Sequence, residues 1–417
     1  MRVLIIGASH AGAQVCANLR QDGWTGEILV IGDEPVLPYH RPPLSKTYLA
    51  GKTTLDEQLI RPAAYYEKHD IRFRVARVDS IDREAHTVTL SDGEQVSYDK
   101  LVLCVGARPR SLPIAGAELA GVHYLRDAAD IEAIREGLHA KGLHASGRVT
   151  IIGAGYIGLE TAASLRQLGV EVTVLESADR VLQRVTAPEL SEFYTRVHRE
   201  EGVDVRTGVT ISGIEGDEHG HVRGVRLADG ELVPADLVII GIGIVPNVEL
   251  AEAAGLAVDN GVVIDDHGQT SDPDIFAAGD CASHYLARYG RQIRLESVPS
   301  AGEQAKAVGA RICDKEKEIK ALPWFWSDQY ELKLQIAGLN DGYDSIVFRG
   351  DPAAGRSFAC FYFKQGQMIS ADCVNHPKEF VFARRVIGDQ LAVDPEKLAD
   401  PENSLNDLLR AAQAERA

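Results

Sequence analysis

At 417 residues, with 45% hydrophobic, 25% charged and 6% aromatic side chains, the chain has the length for about three domains and the composition of a soluble globular protein. A peptide, a lone module and a disulfide-stapled scaffold are excluded at once. The formal charge of -17 repels nucleic acid and anionic lipid, so neither is an expected partner, and an acidic partner needs a local basic patch.

Residues 2 to 6 form an apolar run suited to a buried parallel strand. The run is too short for a secretory signal and meets a glycine at Gly7. No stretch approaches the ~20 apolar residues of a membrane span, and a cytoplasmic protein is expected. The loop Gly7-Ala8-Ser9-His10-Ala11-Gly12 follows, then a helical pattern through Leu19 and a strand at 27 to 31. The same order recurs from Val149: a strand to Ile152, the loop Gly153-Ala154-Gly155-Tyr156-Ile157-Gly158, a helix through Leu168 and a strand from Val170 to Leu175. This is a duplicated βαβ unit.

Such a loop turns tightly and presents its backbone N–H groups and a helix N-terminus to a pyrophosphate. The second copy is complete and is followed by Glu176 at the end of its second strand. That carboxylate accepts a ribose 2′-hydroxyl and repels a 2′-phosphate, so NADH is favoured over NADPH. In the first copy Ser9 replaces the middle glycine and Gly32 stands where Glu176 stands in the second, leaving Asp33 as the nearest acid.

Further along are Leu101 to Pro109 and the segment Thr270 to Cys281, which contains Gly279-Asp280. With the two loops, this set resembles the flavoproteins with two dinucleotide-binding domains. The resemblance implies a glutathione-reductase-like α/β fold with two Rossmann-like domains, here followed by a C-terminal α+β domain. It implies FAD at Gly7, Ser9, His10, Ala11, Gly12, Asp33 and Asp280, and NAD at Gly153, Gly155, Tyr156, Ile157, Gly158, Glu176 and Gly243.

Cysteine placement separates the branches of that family. The six cysteines, Cys16, Cys104, Cys281, Cys313, Cys360 and Cys373, form no C-x-x-C pair and no zinc spacing. None lies in Pro38 to Lys46, where the disulfide reductases carry theirs, and none lies between Gly106 and Gly241. Electrons must then leave the flavin directly for an outside acceptor. The block Arg41-Pro42-Pro43-Leu44-Ser45-Lys46 resembles that of bacterial ferredoxin reductases, as do Arg180 to Leu182, Gly241 to Asn247, Glu296 to Pro299 and Pro323 to Tyr330. Over nearly its whole length the chain is similar to the putidaredoxin-reductase-like family of FAD-dependent NADH:ferredoxin reductases. By position, Arg41, Lys46, Val78, Arg126, Val298 and Trp326 join the expected FAD contacts. Lys46 and Glu160 are the expected catalytic pair, the cation stabilising negative charge that develops as hydride arrives and the carboxylate its counter-charge.

The resemblance implies a [2Fe-2S] ferredoxin as partner, one that serves a cytochrome monooxygenase. The reductase of a Rieske dioxygenase system, a rubredoxin reductase, a monodehydroascorbate reductase and a signalling flavoprotein resembling apoptosis-inducing factor are the alternatives. Residues 281 to 312 carry Arg288, Arg291, Arg294, Lys306 and Arg311 against Glu296 and Glu303, a local charge of +3. They are the candidate docking surface. Expected domains are residues 1–112 with 242–321 for FAD, 113–241 for NAD and 322–417 at the C-terminus, in a monomer or weak dimer. In the last, strands are expected at Lys333 to Gly338, Ser345 to Arg349, Phe358 to Phe363 and Met368 to Val374, and a helix at Leu405 to Ala414. No metal site is expected among the 13 histidines, and His219-Gly220-His221 reads as a turn. No Ser-His-Asp relay is evident.

Overall fold

The computed structural model describes residues 1–140, 142 and 147–416. They divide into two compact units, each assembled from three stretches of chain. The first comprises Met1–Arg41, Thr54–Arg108 and Ile244–Ala321; the second comprises Pro42–Thr53, Pro109–Gly243 and Leu322–Ala417.

The first unit is built on a five-stranded parallel sheet in the order Ile275–Ala277, Lys100–Leu103, Arg2–Ile6, Glu27–Gly32, Ile71–Val75. Alternate residues of the central strand serve opposite faces, as the pleat requires. Val3 and Ile5 pack under the helices His10–Asp22 and Val298–Ile312, which lie against each other. Leu4 and Ile6 pack with Val88, Leu90 and Val96 of an antiparallel three-stranded sheet. The first helix runs three residues past the expected Leu19 and stops where Gly23 takes a left-handed conformation, φ +99°.

The second unit repeats the design. Its parallel sheet has the order Asp204–Arg206, Glu171–Leu175, Arg148–Ile152, Leu237–Ile240, Val122–Tyr124. The C-terminal part forms a five-stranded antiparallel sheet followed by three helices, the last at Leu405–Arg416. Its first strand, Trp324–Gln329, was not among the expected elements. The helix Tyr156–Gln167 packs against this strand and against the short turn Pro42–Ser45, and Ser164 Oγ donates to the Ser45 carbonyl at 2.7 Å. Buried helix residues thus gather into one unit the stretch 42–53, expected within the FAD domain, and the C-terminal part, expected to stand alone.

Candidate dinucleotide sites and the Lys46–Glu160 pair

The duplication holds at atomic detail. Gly7 N–H donates to the Ile31 carbonyl and Gly153 N–H to the Leu175 carbonyl, both at 2.8 Å. These equivalent bonds align Gly32 with Glu176. The first glycine of each loop has φ near the same left-handed value, +111° at Gly7 and +106° at Gly153. A Cβ at Gly12 or Gly158 would run into the carbonyl oxygen of Gly7 or Gly153 respectively, so both third glycines are required by close packing. The middle position differs. Ser9 and Gly155 both have extended backbone, and the space around Gly155 is open. Neither caps its helix with a side chain, so first-turn N–H groups remain for an anion. The loops therefore fit the diphosphates of two dinucleotides.

In the first unit, Ser9 turns its hydroxyl aside to accept from Arg41 Nε at 3.0 Å. Arg41 also pairs with Glu34, which accepts the Tyr39 hydroxyl as well. Asp33 is exposed, so the acid that the structure brings to the loop through Arg41 is Glu34, a residue the motif did not single out. Ala8, Gly32, Glu34, Leu37 and Phe73 are among the residues that line a cavity of about 150 Å³. Gly279 abuts Ala11 and donates its N–H to the buried Gln304 Oε1 at 2.7 Å, which sets Asp280 beside the loop. His10 lies in the loop's first helical turn, its ring 5.4 Å from that of His40, and Val298 opens the helix packed on this one. Val78 is 6% exposed and packs with Leu4 and Leu90.

In the second unit, Glu176 Oε2 accepts from Ala154 N–H at 2.7 Å and Oε1 accepts from Ala178 N–H at 2.8 Å. The carboxylate is held against the second loop with lone pairs to spare. Gly241 abuts Gly153, and Gly243, two residues on, has φ +99°. Ile157 is 45% exposed, whereas Tyr156 is half-buried with its ring 5.0 Å from that of Phe325. Arg126 N–H donates to Asp130 at the start of a helix, and Trp326 stacks at 5.6 Å on Trp324.

Lys46 and Glu160 form an ion pair, Nζ to Oε2 2.5 Å, with the carboxylate only 2% exposed. A buried carboxylate must be fully hydrogen-bonded to be tolerated. Here Ser45 Oγ donates to Oε2 and Ser327 Oγ to Oε1, each at 2.6 Å. Sequence reasoning missed Ser327, although it lies in the quoted block Pro323 to Tyr330. It also missed Asp372, a fully buried acid that accepts from Tyr362 and Thr186 and is pushed up to about 6 by burial.

Among the docking candidates, Arg288, Arg291 and Lys306 are exposed. Arg294 is withdrawn from any surface role: its side chain is 8% exposed, pairs with Glu296 at 2.7 Å and donates to the Asp280 carbonyl. Lys306 pairs with Glu303 and Arg311 with Glu316. Of the six thiols five are buried, and burial raises all six pKa values, to about 11 at Cys281 and about 12 at Cys16. None is a ready thiolate.

Residues 1–305 match the family described as pyridine nucleotide-disulphide oxidoreductase, and residues 324–409 match the reductase C-terminal domain. The chain belongs to that oxidoreductase family. It is 46% identical to putidaredoxin reductase of Pseudomonas putida, across 99% of this chain and 98% of the relative. It is 42% identical to a ferredoxin–NAD(P)(+) reductase of a Sphingomonas species, with 99% and 98% covered. Its fold superposes on the reductase in the covalent putidaredoxin reductase–putidaredoxin complex with a TM-score of 0.95, at 46% identity and 99% coverage of both chains. The protein is therefore a flavoprotein oxidoreductase of α/β fold that uses FAD and NAD(H). Among the described residues no helix is long and apolar enough to cross a membrane.

Proposed function

We propose that the protein is a cytoplasmic NADH-dependent ferredoxin reductase that passes electrons through FAD to a [2Fe-2S] ferredoxin serving a cytochrome monooxygenase. The observation that carries this reading is the pairing of two dinucleotide loops with cysteines that are all free, five of them buried. With no disulfide to receive them, electrons leave the protein for a separate carrier. The likeness to putidaredoxin reductase and to its complex with putidaredoxin supports the class of carrier.

FAD supplies the chemistry, accepting a hydride from NADH and releasing electrons singly. The chain's residues bind and orient. Gly153 to Gly158 receive the NADH diphosphate on N–H groups, and Glu176 takes the ribose hydroxyls. Gly7 to Gly12, Arg41 and Asp280 hold FAD in the first unit. For Lys46, Arg126 and Trp326 of the second unit, and for Asp33, Val78 and Val298, the FAD role rests on the family resemblance. Glu160, buried and ion-paired, holds Lys46 in one place, ready to favour negative charge. Arg288, Arg291, Lys306 and Arg311 attract an acidic ferredoxin against the field of the whole chain, which gives salt-sensitive, short-lived docking.

The test is a two-stage stopped-flow measurement. NADH should bleach the flavin absorbance, and an added [2Fe-2S] ferredoxin should then restore it far faster than a disulfide acceptor does. Purification without flavin, or preferential reduction of the disulfide, would overturn the reading.

A further inference from the structure

Glu160 stands at one end of a continuous chain of side chains. Ser327 Oγ lies 2.6 Å from Glu160 Oε1. Gln329 Nε2 lies 3.2 Å from Ser327 Oγ, and Gln329 Oε1 lies 2.8 Å from His198 Nε2. The Tyr330 hydroxyl lies 3.2 Å from His198 Nδ1. Ser327 and Gln329 are each 1% exposed and His198 is fully buried, so no water completes their bonds from outside.

One charge sets the direction of every link. With Glu160 a carboxylate paired to Lys46, it can only accept, and the single Ser327 hydroxyl proton must go to it. Ser327 then accepts, so Gln329 presents its NH₂ to the serine and its carbonyl to His198. His198 must carry its proton on Nε2, which leaves Nδ1 to accept from Tyr330. Four donors in series all point toward Glu160, an arrangement in which each bond polarises the next. Burial depresses the His198 pKa to about 4, which keeps the ring neutral and its Nδ1 lone pair available. Tyr330 adds an independent mark. It sits in the two-residue hairpin turn between Trp324–Gln329 and Leu332–Gly338 with φ +55°, a left-handed conformation that a bulky residue adopts only when its surroundings compel it.

We infer that Ser327, Gln329, His198 and Tyr330 are positioning residues that lock the orientation of Glu160, and through it Lys46, from the C-terminal sheet. The consequence for hydride transfer rests on the proposed role of the Lys46–Glu160 pair. Gln329 interrupts any proton path, because an amide holds its protons, so the chain orients and does not conduct.

The direct test is the tautomer of His198, read by ¹⁵N NMR of the histidine-labelled, FAD-loaded protein. The native protein should show Nε2–H. In Glu160→Gln, Lys46 and Ser45 claim the amide oxygen, its NH₂ faces Ser327, and the serine proton turns to Gln329. The Gln329 amide flips and His198 should move its proton to Nδ1. An Nδ1–H tautomer in the native protein, or no change in Glu160→Gln, overturns the chain. In single-turnover reduction by NADH, Ser327→Ala should slow flavin reduction about tenfold, the loss expected for one hydrogen bond to a charge, with NADH affinity held within about twofold and rate restored in Ser327→Thr. If Ser327→Ala does not fold, Gln329→Met cuts the next link and replaces it. Unaltered reduction in these variants alongside slow reduction in Glu160→Gln refutes the positioning role and leaves the catalytic pair standing. Unaltered reduction in Glu160→Gln refutes the role of the pair, whatever the tautomer does.

Discussion

Asp372 offers a measurement of what burying an acid costs this fold. It is fully enclosed, and burial lifts its pKa from the ordinary 3.8 to about 6 even though Tyr362 and Thr186 donate to one of its oxygens. Below pH 4 the carboxyl is neutral in the folded and the unfolded chain alike. Between about pH 4 and 6 the unfolded chain releases the proton while the folded chain keeps it, so stability falls as pH rises. Above pH 6 the loss is complete, and the gap between 3.8 and about 6 corresponds to about 3 kcal/mol. Asp372→Asn keeps an acceptor for Tyr362 and Thr186 but places an amide where Asp372 Oδ1 has no partner, a penalty of about 1–3 kcal/mol that does not vary with pH. The variant should therefore be the less stable protein at pH 4 and should gain about 3 kcal/mol on the native protein by pH 7. At roughly 2–4 °C per kcal/mol, the Tm difference should move by on the order of 6–12 °C. Thermal unfolding at saturating FAD from pH 4 to 8 would read it. A difference that stays constant across that range would refute a raised Asp372.

Two glycines of the second loop should respond in opposite ways: Gly158→Ala, driven into the Gly153 carbonyl, should lose folded protein, whereas Gly155→Ala should keep its Tm and lose NADH affinity, because its Cβ enters open space. Calorimetric titration with NADH separates the two. Replacing Glu176 with Ala should lower kcat/KM for NADH about tenfold and leave NADPH unaffected or improved, consistent with loss of one charged hydrogen bond and one repulsion. A maleimide reagent should label native protein slowly and at Cys313 first, the one thiol that is not buried, with flavin reduction unimpaired; mass spectrometry of the labelled peptides checks the order.

Period and punctuation made the two βαβ units readable, because a parallel strand, a glycine loop and a helix each impose a local residue pattern. Even the alignment of Gly32 with Glu176 followed from counting. What escaped was whatever depended on contacts distant in sequence. Ser327 lies 167 positions from the carboxylate it serves, and nothing in a Trp-Phe-Trp-Ser run announces a buried acceptor. Lys46 and Glu160 read from spacing as an ordinary surface pair, and the family match alone brought them together; their burial comes from the helix on which Glu160 sits being covered by two separate stretches. Arg294 illustrates the converse. In a basic run it counted as docking charge, yet its neighbour Glu296 and the Asp280 carbonyl had already claimed it. Ser9, which stands where the second loop has Gly155, is likewise engaged by a residue distant in sequence, its hydroxyl accepting from Arg41.

The three-part make-up of each unit bears on how the chain is synthesised. The first unit lacks the edge strand Ile275–Ala277 and the helix Val298–Ile312 until translation has passed residue 312, and the second lacks the sheet that supplies Ser327 until later still. The first unit has all its stretches once residue 321 is made, while the second still waits for its C-terminal sheet, so the first can mature before the second on a growing polypeptide. Truncation after residue 321 would release a first unit with all its stretches and a second unit whose Glu160 has lost one of its donors.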